Sequence, residues 1–275
     1  VMTPELAASP GLAARFTQEA IVLGRLDHPH IVPIHDLGTD AQGSSYYAMK
    51  FVRGVTLKDV LTGLRKGQAN IVNRYPLARL LEIFLKICDA VGSAHSKGII
   101  HRDLKPANIM IDTKGRVKLA DFGIAATLDD AYTELLGLRD NRGTVTFMSP
   151  QQMEGEPPGV TDDIYALGAT LYELLCGMPP FHAGDLSHQL QAVPPQPLEA
   201  RFREQKIESD LPPDIARMIM SCLDKDPANR PESVRVMAQA IDANVIAQPL
   251  LITSPTVKTS RPTRAPTASH PRRRC

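Results

Sequence analysis

The chain has 275 residues, 43% of them hydrophobic and 22% charged, which is enough for one large or two small domains with a real core. A net charge of +1 gives no global argument for nucleic acid binding, and no apolar run approaches the length of a membrane span. The four cysteines show neither metal-ligand spacing nor a disulfide framework, and the sequence shows no signal-peptide pattern.

The first hundred residues alternate helical and extended patterns. Helices are predicted where apolar residues recur at three- and four-residue spacing, and strands where apolar and polar residues alternate. The first helix ends before Pro29, because the residue before a proline is disfavoured in the α conformation. The predicted elements are, in order, a helix at 12–26, antiparallel strands at 31–37 and 46–52, a short helix at 57–65, a polar loop at 67–75 and a long amphipathic helix at 77–97.

A β-hairpin is predicted at residues 109–120. Its first strand begins with IMI, its turn is the sequence TKG, and its second strand alternates polar and apolar residues. Further helices are predicted at 161–175, 213–223 and 231–246, the first of them with acidic residues in its opening turn, where they suit the helix dipole.

The last residues differ in composition from the rest. From Pro249 onward there are six Lys or Arg residues and no Asp or Glu, which leaves 25 basic against 30 acidic residues elsewhere. This segment has no aromatic residue, so we expect residues 247–275 to be a disordered linker rich in Pro, Thr and Arg. The arginines at 272–274 could contact anionic lipid or nucleic acid, but the composition favours a solvated linker.

The residues that most strongly indicate a catalytic site lie just before and just after the predicted hairpin. Residues 101–108 read HRDLKPAN, and DFG follows at 121–123. Phosphoryl transfer to a hydroxyl requires a carboxylate that takes the proton, a cation near the γ-phosphate and oxygen ligands for Mg²⁺. The groups that meet these needs are Asp103, Lys105, Asn108 and Asp121. A DFG triplet alone would be a weak signal, but both motifs at this spacing make a strong one.

The two motifs resemble the catalytic loop and magnesium loop of the eukaryotic-type (Hanks-type) protein kinases, and Lys105 followed by Pro106 is the Ser/Thr kinase form. The resemblance covers about residues 1–246. It implies an α+β, two-lobed protein-kinase fold, with an incomplete β-rich small lobe and hinge at 1–52 and a complete, mostly helical large lobe at 53–246. The segments FTQEA and YYAMKFV most resemble those of the bacterial Ser/Thr kinases.

The resemblance also assigns roles. It implies ATP and Mg²⁺ as cofactors, with Asp103 as the general base, Lys105 at the γ-phosphate, and Asn108 and Asp121 as metal ligands.

In similar kinases the adenine ring lies against the hinge between the lobes. By resemblance Met49 is the gatekeeper, the Lys50 carbonyl and the Val52 amide contact adenine, and Met110 forms the floor beneath it. Glu19 matches the glutamate that pairs with the ATP-holding lysine, although a helix glutamate of this kind is ordinarily solvated.

Two parts of the family pattern do not occur. No Gly-x-Gly-x-x-Gly occurs in the 275 residues, and the chain starts one residue past the place of the ATP-holding lysine. Because Val1 is not an initiator Met, we expect a fragment. Because the glycine-rich loop and the lysine are missing, we expect the activity of this fragment to be impaired.

Thr56 falls where a ribose contact is often made, and it equally suits the N-cap of the helix at 57–65.

Residues 143–151, GTVTFMSPQ, resemble the end of the kinase activation segment. Thr144 matches the threonine that contacts both the base and the lysine of the catalytic loop. Gln151 stands where the family has a glutamate that pairs with an arginine, here Arg230, so we expect a weaker hydrogen bond in its place. Asp163 matches an aspartate that anchors the catalytic loop, although an acidic residue at a helix start is otherwise unremarkable.

Regulation is expected at the same segment. In similar kinases an arginine at the place of Arg102 binds a phosphate that orders the activation segment. The residue four before Thr144 is Asp140, which cannot be phosphorylated. Either Asp140 pairs with Arg102 and partly replaces the phosphate, or Asp140 is solvated and Thr133 or Thr146 is phosphorylated. We expect at least one phosphothreonine in this segment.

The expected function is ATP-dependent phosphorylation of Ser or Thr on protein substrates, at a cytoplasmic location, with nucleotide and protein as partners and no nucleic acid. Two alternatives stay open. A pseudokinase or binding module is favoured by the missing lysine and opposed by the intact motifs. A small-molecule phosphotransferase of the aminoglycoside or choline type usually lacks the Lys-Pro and DFG features.

A membrane anchor is a further expectation. In receptor-like bacterial kinases a linker like the one expected at 247–275 often leads to a membrane anchor, which here would lie beyond residue 275.

Overall fold

A computed structural model describes residues 17, 20–41, 45–122, 145–209 and 211–247, with side chains through 242. Residues 20–23 are helical, and a two-stranded antiparallel ribbon follows, formed by β1 (Ile34–Thr39) and β2 (Ser45–Met49). The start of β1 corrects the predicted strand at 31–37, because Ile31 forms a parallel bridge with Leu119 instead.

A three-stranded antiparallel sheet carries the predicted hairpin. The sheet has the order β3 (Gly54–Thr56), β4 (Ile109–Asp112) and β5 (Val117–Leu119). Gly115 takes a φ of +78° in the turn between β4 and β5, a conformation that favours glycine. The hairpin prediction is therefore confirmed, and it brings the residues just before β4 next to those just after β5.

The rest of the described chain, residues 53–122, 145–209 and 211–247, is a helical body around this small sheet. This agrees with the predicted α+β fold with a mostly helical large lobe. None of its helices combines the length and apolar character that a membrane span needs. The helices are α1 (Leu57–Arg65), α2 (Ala69–Arg74), α3 (Leu77–His95), α4 (Pro150–Glu154), α5 (Val160–Cys176), α6 (Leu186–Ala192), α7 (Leu198–Gln205), α8 (Pro213–Cys222) and α9 (Val234–Ala247).

The structure tests two of the sequence predictions here: the N-cap role of Thr56 is confirmed, and the loop at 67–75 is not. Thr56 caps α1 in a capping box with Asp59, whose backbone N–H donates to Thr56 Oγ1 over 3.0 Å. The predicted polar loop at 67–75 is wrong, because Ile71 packs against the core and draws its segment into α2.

The core is organised around α5. This helix is mostly apolar and buries every residue from Asp162 to Cys176, as expected for a helix enclosed by others. Helix α8 packs against α5, and α3 packs against both α5 and α9. These contacts fix the end of α3 and the start of α5, between which the segment at 101–108 lies.

Close packing between α5 and α8 gives a testable prediction. A Cβ added at Gly168 would lie 2.6 Å from the Cβ of Cys222, whereas a Cβ added at Gly92 on α3 would meet nothing within 4 Å. We expect Gly168→Ala to lower the free energy of unfolding by about 1–3 kcal/mol through overpacking. Gly92→Ala should raise it by about 0.5–1 kcal/mol, because alanine favours the helix. Urea unfolding of both variants checks this pair, and equal effects would contradict it.

The segment from Arg25 to Val32 is held by the helical body. The Lys97 ammonium donates to the Arg25 carbonyl over 3.2 Å, and His28 Nε2 lies 3.1 Å from the Asp89 carboxylate. The Leu119 N–H donates to the His30 carbonyl over 2.7 Å, and the Val32 N–H donates to the Leu119 carbonyl over 2.9 Å. This segment therefore joins the ribbon to the helical body at a fixed point.

Candidate active site

The centre of the site is the Asp103 carboxylate. Lys105 Nζ lies 2.8 Å from its Oδ1 and 2.7 Å from its Oδ2, and the Asn108 amide donates to Oδ2 over 2.8 Å. The same amide also donates to the Asp103 carbonyl over 2.8 Å. The Asp103 side chain is still 24% exposed. Three of the predicted site residues are thus brought together around a carboxylate that an incoming hydroxyl can reach.

The end of the hairpin positions the two predicted metal ligands. A short 3₁₀ turn, Pro106–Asn108, leads into β4, and the Ala120 N–H donates to the Asn108 carbonyl over 2.9 Å. Asp121 directly follows and is exposed. Both residues offer hard oxygen donors at one edge of the sheet. Mg²⁺ is commonly held by one or two such groups together with substrate phosphates, so the donor set fits this ion.

His101 connects the catalytic loop to the residues after β5. Its ring is fully buried, with Nε2 3.1 Å from the Ala120 carbonyl and Nδ1 accepting from the Asp103 N–H over 3.3 Å. Burial lowers the pKa of His101, while the nearby carboxylates, Asp163 foremost, act in the opposite direction. A neutral ring with its proton on Nε2 satisfies both contacts. The ring also lies 4.4 Å from that of Phe122.

Asp163 anchors the catalytic loop from the start of α5, as the sequence predicts. Its carboxylate is 1% exposed and accepts the N–H of His101 over 2.8 Å and the N–H of Arg102 over 2.9 Å. His95 Nε2 lies 2.7 Å from the same carboxylate. Arg102 is thereby held at a φ of +70°, a conformation that non-glycine residues seldom adopt and that clusters at functional sites.

The predicted nucleotide side lies at the end of β2. Met49 lines a pocket together with Leu23, Tyr47, Asp121 and Phe122. Burial raises the pKa of the Tyr47 phenol, and the Asp121 carboxylate adds to this effect.

The chain leaves the ribbon after Met49, at the residues for which a hinge role stays a prediction. The Lys50 N–H donates to the Pro33 carbonyl over 3.1 Å. Within the described ranges, no hydrogen bond joins the Lys50 carbonyl or the Val52 amide to another residue, so both are available to a ligand. Met110 is half-buried on β4.

Several predicted site residues lie outside the described part of the chain: Glu19, Thr133, Asp140 and Thr144. Their roles stay predictions. Thr146 is half-buried in a turn near α4, and its phosphorylation, like the phosphate-binding role of Arg102, also stays a prediction.

Arg230 donates to Gln151 the hydrogen bond that the sequence predicts. Its Nη2 donates to Gln151 Oε1 over 2.6 Å, and its guanidinium also donates to the carbonyls of Thr161, Asp224 and Lys225. The Gln151 amide in turn donates to the Lys225 carbonyl over 2.9 Å. A neutral glutamine therefore keeps this link between the end of the activation segment and the helical body.

We expect Arg230→Met to lower the free energy of unfolding by about 3 kcal/mol or more, because it leaves several buried acceptors unpaired. Arg217→Met is the matched control. Arg217 is 79% exposed and pairs with Asp214 on the surface of α8, so its loss should change stability by less than about 1 kcal/mol. Urea denaturation measures both. Similar shifts in the two variants would contradict the proposed role of Arg230.

Two contacts at the start of α4 were missed in the sequence. Ser149 Oγ donates to Asp162 Oδ1 over 2.6 Å, and the Gln152 amide donates to the Arg102 carbonyl over 2.8 Å. The spacing of Ser149 and Gln152 is a capping-box signal that could have located the start of α4. No local signal indicates the contact to Arg102.

Comparison with known proteins agrees with this geometry. The family model for the protein kinase domain matches residues 5–242. The chain is 35% identical over 244 residues to serine/threonine-protein kinase PknB of Mycobacterium tuberculosis, covering 86% of this chain and 37% of that protein. It is 36% identical over 242 residues to PknB of Mycolicibacterium smegmatis, with the same two shares. The chain thus spans little more than a third of the length of these curated relatives.

A solved structure supports the fold. The PknI kinase domain of Mycobacterium tuberculosis superposes with a TM-score of 0.64 at 27% identity, covering 89% of this chain and 83% of that one. The two-lobed architecture predicted from the sequence is therefore confirmed. The chain belongs to the protein kinase domain family, and these relatives are bacterial Ser/Thr kinases.

Proposed function

We propose that this chain carries out ATP-dependent phosphorylation of Ser or Thr hydroxyls on protein substrates. The observation that carries the proposal is the Asp103 carboxylate, which is fixed by Lys105 and Asn108 and yet is exposed enough to meet a hydroxyl. A carboxylate in this position can orient a hydroxyl and accept its proton as the oxygen attacks the γ-phosphate.

The neighbouring residues have separable roles. Lys105 lies close enough to Asp103 to serve both the carboxylate and a transferring phosphoryl group. Asn108 and Asp121 would hold Mg²⁺, which neutralises charge on the β- and γ-phosphates when bound. The Lys50 carbonyl and Val52 amide would accept from and donate to adenine, with Met49 and Met110 against the ring. Residues 1–52 then act as small lobe and hinge, and 53–246 as the large lobe, followed by the linker at 247–275.

The test is transfer of labelled phosphate from ATP and Mg²⁺ to a generic basic protein by the full-length gene product, followed by phosphoamino acid analysis. We expect phosphoserine or phosphothreonine and no phosphotyrosine. Residues 1–275 alone should transfer poorly, because no Gly-x-Gly-x-x-Gly occurs in them to cover the phosphates. Robust turnover by residues 1–275 alone would contradict this second expectation.

The same absence favours a second candidate function, a nucleotide-binding pseudokinase. The two functions differ in a simple measurement. A pseudokinase would bind ATP, detected by a shift in melting temperature, and yet label neither itself nor any substrate. Mg²⁺-dependent labelling by the full-length protein would exclude it.

A further inference from the structure

We infer that Gln152 is a positioning residue for the catalytic loop, which fixes the peptide that carries Asp103; this inference rests on the proposed kinase function. The peptide between Arg102 and Asp103 is held at both of its polar ends. Its carbonyl accepts from Gln152 Nε2 over 2.8 Å, and its N–H donates to His101 Nδ1 over 3.3 Å. The orientation of this peptide sets where the Asp103 side chain begins.

This peptide needs to be held because Arg102 is in the left-handed region, with a φ of +70°. Such a conformation in a non-glycine residue persists only where the surrounding contacts determine it. The Asp163 carboxylate fixes the Arg102 N–H on one side. On the other side, the Gln152 amide holds the Arg102 carbonyl, so rotation of the following peptide would break its bond.

The Gln152 side chain is itself fixed. Its Oε1 accepts from the Ser149 N–H over 3.1 Å, and its backbone N–H donates to Ser149 Oγ over 3.1 Å. Because the Ser149 N–H can only donate and the Arg102 carbonyl can only accept, the orientation of the amide follows from its two partners. Ser149 is fully buried and bonded to Asp162.

The contact therefore couples two parts of the molecule. The start of α4, where the activation segment ends, bonds directly to the backbone beside the base. When residues 149–152 are docked, Asp103 is held in place, and a misplaced base loses rate steeply with small displacements. The Gln152 side chain bonds to Ser149 and to the Arg102 carbonyl, so its effect on the reaction would pass through the catalytic loop.

The experiment compares Gln152→Glu, Gln152→Met and the control Gln189→Glu in the full-length protein. Gln189 donates in the same way to a backbone carbonyl, that of Ala183 over 2.7 Å, but lies on α6, and among the described residues its side chain has no hydrogen bond to the catalytic loop. At pH 8 we expect both Gln152 variants to lose about tenfold to hundredfold in kcat, with KM for ATP within about twofold of wild type. Gln189→Glu should stay within about twofold in both.

A pH profile separates positioning from general damage. The Gln152→Glu carboxylate repels the Arg102 carbonyl when ionised, but its protonated form can donate to that carbonyl. Its kcat relative to wild type should therefore rise as the pH falls from 8 to 6, whereas Gln152→Met should show no such recovery. Gln152→Glu keeps the acceptor for Ser149, so it carries the test if Gln152→Met does not fold.

Amide hydrogen exchange of residues 99–108, followed by mass spectrometry, gives a readout that needs no activity. Exchange at Arg102 and Asp103 should be faster in Gln152→Met than in Gln189→Glu. If the wild type transfers no phosphate, the proposed function fails, and this difference still supports the placement of Gln152. Unchanged exchange, or kcat within twofold of wild type in both Gln152 variants, would overturn the inference.

Discussion

Replacing Asp103 by Asn is expected to lower kcat of the full-length protein by about a hundredfold or more and to leave the fold intact. The carboxylate has two oxygens that both accept, from Lys105 and from Asn108. An asparagine keeps the shape and, at a side chain that is 24% exposed, its NH₂ group can be hydrated, but it cannot take a proton from a hydroxyl. The loss should therefore appear in the rate of transfer and not in the unfolding transition.

The measurement combines steady-state transfer with thermal unfolding of the same preparation. Asp185→Asn is the matched control, because Asp185 caps α6 and asparagine caps a helix equally well. We expect the control to keep wild-type activity. Transfer by Asp103→Asn at the wild-type rate would remove Asp103 from its assigned role, and with it the observation on which the proposed function depends.

The second large effect is expected for Asp163→Ala. This carboxylate accepts two backbone N–H groups of the catalytic loop and lies in contact with His95, all with the side chain 1% exposed. Removing it leaves buried donors without an acceptor, which should lower the free energy of unfolding by about 3 kcal/mol or more. Because Arg102 would no longer be held, kcat should also fall by about a hundredfold.

Urea unfolding and transfer assays on Asp163→Ala measure both losses together. Asp214→Ala is the comparison, since Asp214 is 72% exposed and pairs with Arg217 on the surface. That variant should change stability by less than about 1 kcal/mol and leave kcat unchanged. A stable Asp163→Ala protein with normal turnover would show that the loop keeps its shape without the carboxylate.

Local patterns in the sequence were sufficient to predict the elements whose formation depends on residues close by in the chain. The hairpin at 109–120 and helix α5 were predicted because turn residues and apolar runs act within a few residues. Helix α2 was missed because it depends on Ile71 reaching the core beside α1, which no local pattern encodes. The start of β1 was misplaced for the same reason, since Ile31 bonds to the distant Leu119.

The candidate site likewise contains residues that local sequence predicts and a contact that it does not. Asp103, Lys105 and Asn108 could be grouped in advance because all three lie within residues 103–108, which end in one short turn. The link from Gln152 to Arg102 could not, because it joins segments 50 residues apart whose meeting depends on how α4 packs. Asp163 was predicted from its family motif rather than from any local physical signal.

The attachment of residues 25–32 to the helical body has a mechanical consequence. The ribbon of β1 and β2 is connected to that body through two short necks, at Pro33 and at Lys50, which are joined by a hydrogen bond of 3.1 Å. A small rotation of the ribbon about this bond would move Met49, which lies at the end of β2 and lines the pocket. Asp103, Lys105 and Asn108 belong to the helical body and are joined by their own hydrogen bonds, so this rotation would leave their mutual distances unchanged. We therefore expect the width of this pocket to change without any change in the catalytic loop.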